Sequence, residues 1–305
     1  MNKPATTTRA LESRGRCRPL TLPVDLIASQ TIVSTSDEHR ALSRSISKKI
    51  DKAIFKYDLI EDGDRVLVGV SGGKDSLTLL HQLSMKQPRF SRRFTLAAAH
   101  VETEFSNAES IDRLEEVSAE WGVPFHRIPM HLSERIQPGK SMNCYWCSTQ
   151  RRTELIQFSE AHDFTKIALG HHMDDIIETF FMNLTYKGEL STMLPKMSYD
   201  RYRQSVIRPL AWVDEEDIIA YTEGMETEMV ICKCGFDTTS KRRRIRPIIQ
   251  FMTEREGEKV RERIMDAMHN PRLRYLITEE NNAPRYKGDA VPTQNINPIE
   301  PPPTR

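Results

Sequence analysis

Val66-Leu67-Val68-Gly69-Val70-Ser71-Gly72-Gly73-Lys74-Asp75-Ser76-Leu77-Thr78-Leu79-Leu80 is the stretch that decides the fold of this chain. A valine-rich run passes through a Ser-Gly-Gly turn into a leucine-rich segment, the pattern of a strand, a tight turn and a helix. Two adjacent glycines let backbone N–H groups approach an anion with no Cβ in the way. The helix that follows directs its positive end at the same place. Lys74 adds a point charge, and Ser71 and Ser76 add hydroxyl donors. The segment is built as a phosphate cradle rather than as a bare connecting turn. It is not the common ATPase loop, which puts four residues between its first glycine and Gly-Lys-Ser/Thr. Here Gly69 and Gly73 are separated by three, and Asp75 stands where the magnesium-binding hydroxyl would be.

Outward from this loop, strands and helices alternate. Residues 47–57 carry Ile50, Ala53, Ile54 and Tyr57 at helical spacing, and 108–121 carry Ile111, Leu114, Val117 and Ala119. Strands are predicted at 66–70, 94–101, 123–128 and 166–170. Further helices are predicted from Ser76, over 149–162 and 174–186, after Asp214-Glu-Glu-Asp217, and over 247–270 as one long final helix. Such alternation predicts an α/β fold, a doubly wound parallel sheet with helices on both faces, which binds ligands at the carboxyl ends of its strands. Ser71 and Gly170-His171 both fall at that edge. Three parts are expected: a polar extension over 1–44, one domain over 45–275, and a Pro-rich flexible tail over 276–305.

Composition bounds the function. The chain has 305 residues and a formal net charge of +1, so any contact with nucleic acid rests on a local basic patch rather than on overall attraction. No run approaches the roughly 18–20 apolar residues of a membrane span, and the amino terminus lacks the apolar core of a secretory signal; a cytoplasmic protein with no membrane contact is expected. In that compartment five cysteines point to metal or redox chemistry rather than to disulfides. Cys17 stands apart in the polar extension and has no assigned role.

Cys144-Tyr-Trp-Cys147 supplies two thiols about one helical turn apart, suited to one metal centre, and Cys232-Lys-Cys234 supplies another pair. Residues two apart in an extended segment point to opposite faces, so one of Cys232 and Cys234 reaches a shared centre. Three thiolates leave a coordination position open, which suits a metal or cluster that binds substrate; spacing alone leaves structural zinc equally open. A redox dithiol at 144 and 147 is a lesser alternative. Gly170-His171-His172-Met173-Asp174-Asp175 ends a strand with paired carboxylates able to hold magnesium beside a triphosphate, and with histidine able to donate to phosphate. An N-cap with acids on the helix dipole is the plain structural alternative. Lys241-Arg-Arg-Arg-Ile-Arg246 is either a solvated face or a contact to a nucleic-acid backbone, with Arg151-Arg152 extending it. Tyr145 and Trp146 are able to stack on a base or to be buried beside the metal.

Ser71-Gly-Gly-Lys-Asp-Ser76 resembles the pyrophosphate loop of the N-type ATP pyrophosphatases, which split ATP between its α and β phosphates. With Cys144-x-x-Cys147, Leu169-Gly-His-His-Met-Asp-Asp175, Val206-Ile-Arg-Pro-Leu210 and a cysteine before Gly235, the order over about 45–270 resembles the tRNA 2-thiocytidine synthetases, the TtcA family. The resemblance implies the fold of adenine nucleotide α-hydrolases and PP-loop ATPases. It implies an ATP- and Mg2+-dependent enzyme that replaces the C2 oxygen of cytidine 32 in the tRNA anticodon loop by sulfur through a [4Fe-4S] cluster. Carried onto this chain, Ser71, Gly72, Gly73, Lys74, Asp75, Ser76 and His171 bind ATP, and Asp75 helps to hold Mg2+. Lys74, Asp75, Asp174 and Asp175 are the candidate catalytic residues. Cys144, Cys147 and Cys234 are the implied cluster ligands, with Cys232 as the alternative third, because the family separates its last two cysteines by two residues and this chain by one. The implied partners are tRNA and a cysteine desulfurase as sulfur donor, and a homodimer is one assembly the sequence allows. Rival readings are a PP-loop ligase on a small molecule with structural zinc, a uridine thiolase, and a non-catalytic nucleic-acid binder with a degenerate pocket.

Overall fold

The computed structural model describes residues 31–136, 142–225 and 241–277. Six strands form one sheet: β1 (Asp64–Gly69), β2 (Phe94–Glu102), β3 (Phe125–Pro129), β4 (Lys166–Ala168), β5 (Lys196–Tyr199) and β6 (Tyr202–Ile207). Their order is β3-β2-β1-β4-β6-β5, and every pairing is parallel except the β5–β6 hairpin. The chain runs from β1 outward through β2 to β3, then returns to lay β4 on the other side of β1. That reversal opens a crevice at the carboxyl ends of β1 and β4, the place where doubly wound sheets bind ligands.

The expected α/β architecture is present, with both faces of the sheet covered. Val66 and Val68 of β1 face one apolar cluster and Leu67 faces the other. The first cluster takes Ile50 and Ile54 of α1 (Thr31–Tyr57), Leu79 and Leu83 of α2 (Lys74–Lys86), Leu114 of α3 (Ala108–Glu120) and Ile176 and Ile177 of α5 (Met173–Lys187). It also takes Tyr221 of α6 (Glu215–Glu223), Ile249 of α7 (Lys241–Glu256) and Met265 of α8 (Lys259–His269). The second takes Leu155 and Ile156 of α4 (Cys144–Ala161). Among the described residues no helix is long and apolar enough to cross a membrane.

Four elements depart from the sequence reading, each for a tertiary reason. Helix α1 begins at Thr31, inside the segment expected as a polar extension. It is anchored there by His39, whose ring stacks on Tyr221 at 4.7 Å and whose Nε2 lies 3.0 Å from the Tyr221 carbonyl oxygen. Helix α4 begins at Cys144 rather than near residue 149, because the Asn143 side chain accepts from the Trp146 N–H at 2.9 Å and caps it. The β5–β6 hairpin has no counterpart in the sequence reading: it supplies the antiparallel edge, with residues 204–207 of β6 buried against the sheet and β5 left without a buried position. The single long final helix is two, α7 and α8, parted at Gly257 with φ +89°.

Candidate functional site

The loop after β1 is closed by its own serines. Val70 N–H extends the ladder to the Ala99 carbonyl at 2.8 Å, and Gly72 then takes φ +87°, a conformation open to glycine. Ser71 N–H donates to Ser76 Oγ (3.2 Å), Gly73 N–H to Ser71 Oγ (3.3 Å), and Ser76 Oγ–H to the Gly73 carbonyl (3.0 Å). Helix α2 starts at Lys74, so its unpaired N–H groups open onto this turn. The loop after β4 lies directly on it: a Cβ at Gly170 would stand 2.9 Å from Asp75 C and Ser76 N.

Charge is concentrated behind the loop. Lys74 Nζ donates to Asp75 Oδ1 (2.7 Å) and to Glu215 Oε1 (3.0 Å) at the start of α6. Burial works against its charge, but the two carboxylates outweigh burial and raise its pKa. His172 at the start of α5 is buried, with Nε2 3.8 Å from Asp75 Oδ1 and 3.5 Å from Asp175 Oδ2, and Nδ1 3.6 Å from Asp174 Oδ2. Burial lowers its proton affinity, yet the surrounding acids Asp174, Asp175 and Asp75 prevail and hold its pKa above the ordinary value.

The paired acids of the motif divide. Asp175 accepts from the His172 N–H (3.2 Å) and faces the same imidazole nitrogen as Asp75. Asp174 turns to α6 and α8, accepting from Glu215 N–H (2.8 Å) and pairing with Arg261 Nε (3.1 Å). Burial raises its pKa, but His172, the Glu215 N–H and Arg261 outweigh it and the carboxyl stays below the usual range. The capping alternative holds for Asp175, which closes a capping box with His172 at the start of α5, whereas Asp174 is held by α6 and α8. Asp75 and Asp175 remain as hard oxygen donors beside the loop, the kind of set Mg2+ takes together with phosphate oxygens. Among the described residues no three His, Cys, Asp or Glu side chains converge as a complete metal site.

A cavity of about 230 Å³ adjoins the loop. Its lining includes Ser71 and His171 from the sheet edge, His100 from β2, and Ser148, Arg151 and Arg152 from α4. The buried His100 places Nδ1 2.8 Å from the Val70 carbonyl, so Nδ1 carries the proton, and burial pushes its pKa down, keeping it neutral. The first turn of α4 bears Cys144, exposed, and Cys147, half-buried. Two soft sulfur donors one turn apart, on the helix whose Ser148, Arg151 and Arg152 line this cavity, fit part of a three-thiolate centre. Cys232 and Cys234 lie outside the described residues.

Tyr145 and Trp146 separate: Tyr145 is 83% exposed, whereas Trp146 packs on the second apolar cluster. The basic run is only partly a free surface. Arg246 Nε donates to the buried Glu178 (2.8 Å) and its NH2 lies 3.1 Å from Glu215, while Arg244 is exposed. The side chains of Lys241, Arg242 and Arg243 lie outside the described residues. Sequence reasoning missed His100, Glu215 and Arg261; none carries a local motif, since each acts across elements far apart in the chain.

Comparison with known proteins agrees with this geometry. Residues 42–252 match the PP-loop domain family. The tRNA-cytidine(32) 2-sulfurtransferase of Stenotrophomonas maltophilia is 39% identical over 219 residues, 70% of each chain. That of Citrifermentans bemidjiense is 34% identical over 246 residues, 79% of this chain and 95% of the relative. In fold the chain is similar to the U34-tRNA thiolase NcsA of Methanococcus maripaludis, solved with its [4Fe-4S] cluster (TM-score 0.62, 20% identity, 76% of this chain and 78% of that one). The loop at the β1 crevice, the match over 42–252 and the identity spread over most of both chains together mean that this protein belongs to the PP-loop family, among the tRNA-cytidine(32) 2-sulfurtransferases.

Proposed function

We propose that this chain activates the C2 oxygen of cytidine 32 in tRNA with ATP and replaces it by sulfur. The observation that carries the reading is one cavity shared by the phosphate loop and by α4: Ser71 and His171 line it from the sheet, and Ser148, Arg151 and Arg152 line it from the helix whose first turn bears Cys144 and Cys147.

A pyrimidine carbonyl oxygen is a poor leaving group. Attack of that oxygen on the α-phosphorus of ATP forms an O–P bond and expels pyrophosphate, so the oxygen later departs as part of AMP when sulfur attacks C2. In this reading the first N–H groups of α2 and Lys74 hold the departing pyrophosphate and stabilise its charge, on a loop closed by Ser71 and Ser76. Asp75 and Asp175 would hold Mg2+, and His172, whose pKa its neighbouring acids raise, lies between them and links the two loops. Arg151 and Arg152 supply charge on the opposite wall, where the nucleotide and the target base meet. Held on Cys144, Cys147 and Cys234, or on Cys232 as third ligand, a [4Fe-4S] cluster would supply an open coordination position for sulfur delivered by a cysteine desulfurase. Exchange of oxygen for sulfide-level sulfur is redox-neutral, and the persulfide sulfur of a cysteine desulfurase reaches that level with two electrons from a dithiol, which leaves as its disulfide. A tRNA substrate and a sulfur donor of this kind put the enzyme in the cytoplasm.

Anaerobic purification with iron, sulfide and zinc analysis, followed by a pyrophosphate-release assay, tests the reading. Iron and sulfide near four each per chain, with release that requires tRNA, are expected. One zinc with no iron, and release independent of tRNA, points instead to a small-molecule ligase.

A further inference from the structure

The phosphate-loop lysine is held from outside its motif. Lys74 is a flexible four-carbon chain carrying a point charge, so its value to a phosphate depends on what fixes the ammonium. Its two partners differ in kind. Asp75 follows it in the same turn and shares its face with Asp175 and His172. Glu215 comes from α6, 141 positions along the chain, and makes none of those contacts.

Glu215 is itself clamped. Its N–H donates to Asp174 Oδ2 (2.8 Å), and its Oε2 lies 3.1 Å from Arg246 NH2 of α7. Arg246 continues to Glu178 Oε1 (2.8 Å) on α5, a carboxylate only 1% exposed. Lys74, Glu215, Arg246 and Glu178 thus form a row of alternating charges that ties the loop lysine to three helices. We propose that Glu215 is a positioning residue for the reaction, fixing the Lys74 ammonium at the phosphate loop. The inference rests on the nucleotide-activating reading above and deepens it: with Asp75 engaged by a metal-bound triphosphate, Glu215 would still hold Lys74 through Oε1 while its Oε2 stays on Arg246.

Calorimetric titration of the full chain with α,β-methylene-ATP plus Mg2+, and separately with AMP, tests the role. AMP lacks the phosphates that Lys74 would meet. Glu215→Gln is expected to weaken the ATP analogue about tenfold, the scale of one charge-assisted hydrogen bond, and to leave AMP unchanged. Glu215→Asp, which keeps the charge and retracts it by one methylene, is expected to lose less. Lys74→Gln should weaken the analogue as well, and the double variant Lys74→Gln/Glu215→Gln should bind no more weakly than Lys74→Gln alone. Equal loss of the analogue and AMP would make Glu215 a merely structural residue and overturn the proposal. So would additive losses in the double variant, or parental affinity in Glu215→Gln. If the parent binds neither nucleotide, the activating reading itself falls; if the parent binds the analogue and only the Glu215 pattern fails, that reading stands without this inference.

Discussion

Gly170 lies against the backbone of Asp75, so close that a Cβ at 170 would stand 2.9 Å from the Asp75 carbonyl carbon. The two residues belong to loops after different strands, β4 and β1, and their contact sets the width of the crevice between them. Gly170→Ala must push the first turn of α2 away from the β4 loop. The expected result is loss of ATP-dependent pyrophosphate release by more than tenfold with the fold retained, because the strain falls on the loop rather than on the sheet. Measuring release together with the thermal midpoint checks it; unchanged turnover would show that the crevice tolerates the wider spacing.

The thiols at the start of α4 give a second prediction. Cys144→Ser and Cys147→Ser should each abolish most of the iron bound after anaerobic reconstitution. Of the later pair, Cys234→Ser should do the same and Cys232→Ser should not. Iron and sulfide content per chain, read with the visible absorption spectrum, decides this. Retention of full iron in Cys144→Ser would remove that residue from the ligand set.

Tyr145 and Trp146 are adjacent in sequence and opposite in surroundings. Trp146→Ala removes a ring packed on the second apolar cluster and should cost about 2 kcal/mol of stability, below the cost for a fully buried tryptophan. Tyr145→Ala should leave stability within about 0.5 kcal/mol but weaken tRNA binding by about 1 kcal/mol if the ring stacks on an unpaired base. Urea denaturation and a tRNA-binding isotherm on both variants separate the two roles. Equal tRNA affinity in Tyr145→Ala would leave the exposed ring without a part in substrate binding.

His81 supplies a pH dependence independent of the site. Its ring stacks on Trp121 at 4.5 Å, and its Nδ1 lies 2.8 Å from the Tyr221 hydroxyl. Burial, with a smaller contribution from His39, lowers its pKa from 6.5 to about 4. The unfolded chain therefore takes up a proton at this position before the folded chain does. The contribution of His81 to stability is present above the unfolded value and is lost as pH falls from 6.5 to about 4. Thermal midpoints of the parent and of His81→Gln over this window should converge as pH falls; parallel curves would mean that His81 titrates alike in both states.

How much of this was legible in the sequence follows from how local each feature is. Ser71 to Ser76 carries its own strand, turn and helix within one short stretch, and its place at the sheet edge could be read directly. Cys144 and Cys147 were legible by spacing, although the start of α4 depends on the Asn143 cap. The Asp174-Asp175 pair looked like one unit. The helix rotates successive side chains by about 100°, so one carboxylate faces the loop and the other faces Arg261. Glu215 stood among four acids at a helix start, and nothing in that run says which of them meets Lys74; only the packing of α6 against α2 selects it. The early turns of α1 were hidden for the same reason, since His39 finds Tyr221 only in three dimensions.

The most direct test of the central claim is nucleoside analysis of tRNA after anaerobic incubation with the reconstituted enzyme, ATP, Mg2+, a cysteine desulfurase, cysteine and a dithiol reductant. The account predicts 2-thiocytidine at position 32, formed only with ATP, and one AMP and one pyrophosphate released for each sulfur inserted. Thiolated uridine in its place, or no thiolated nucleoside from an enzyme fully loaded with iron and sulfide, would contradict it.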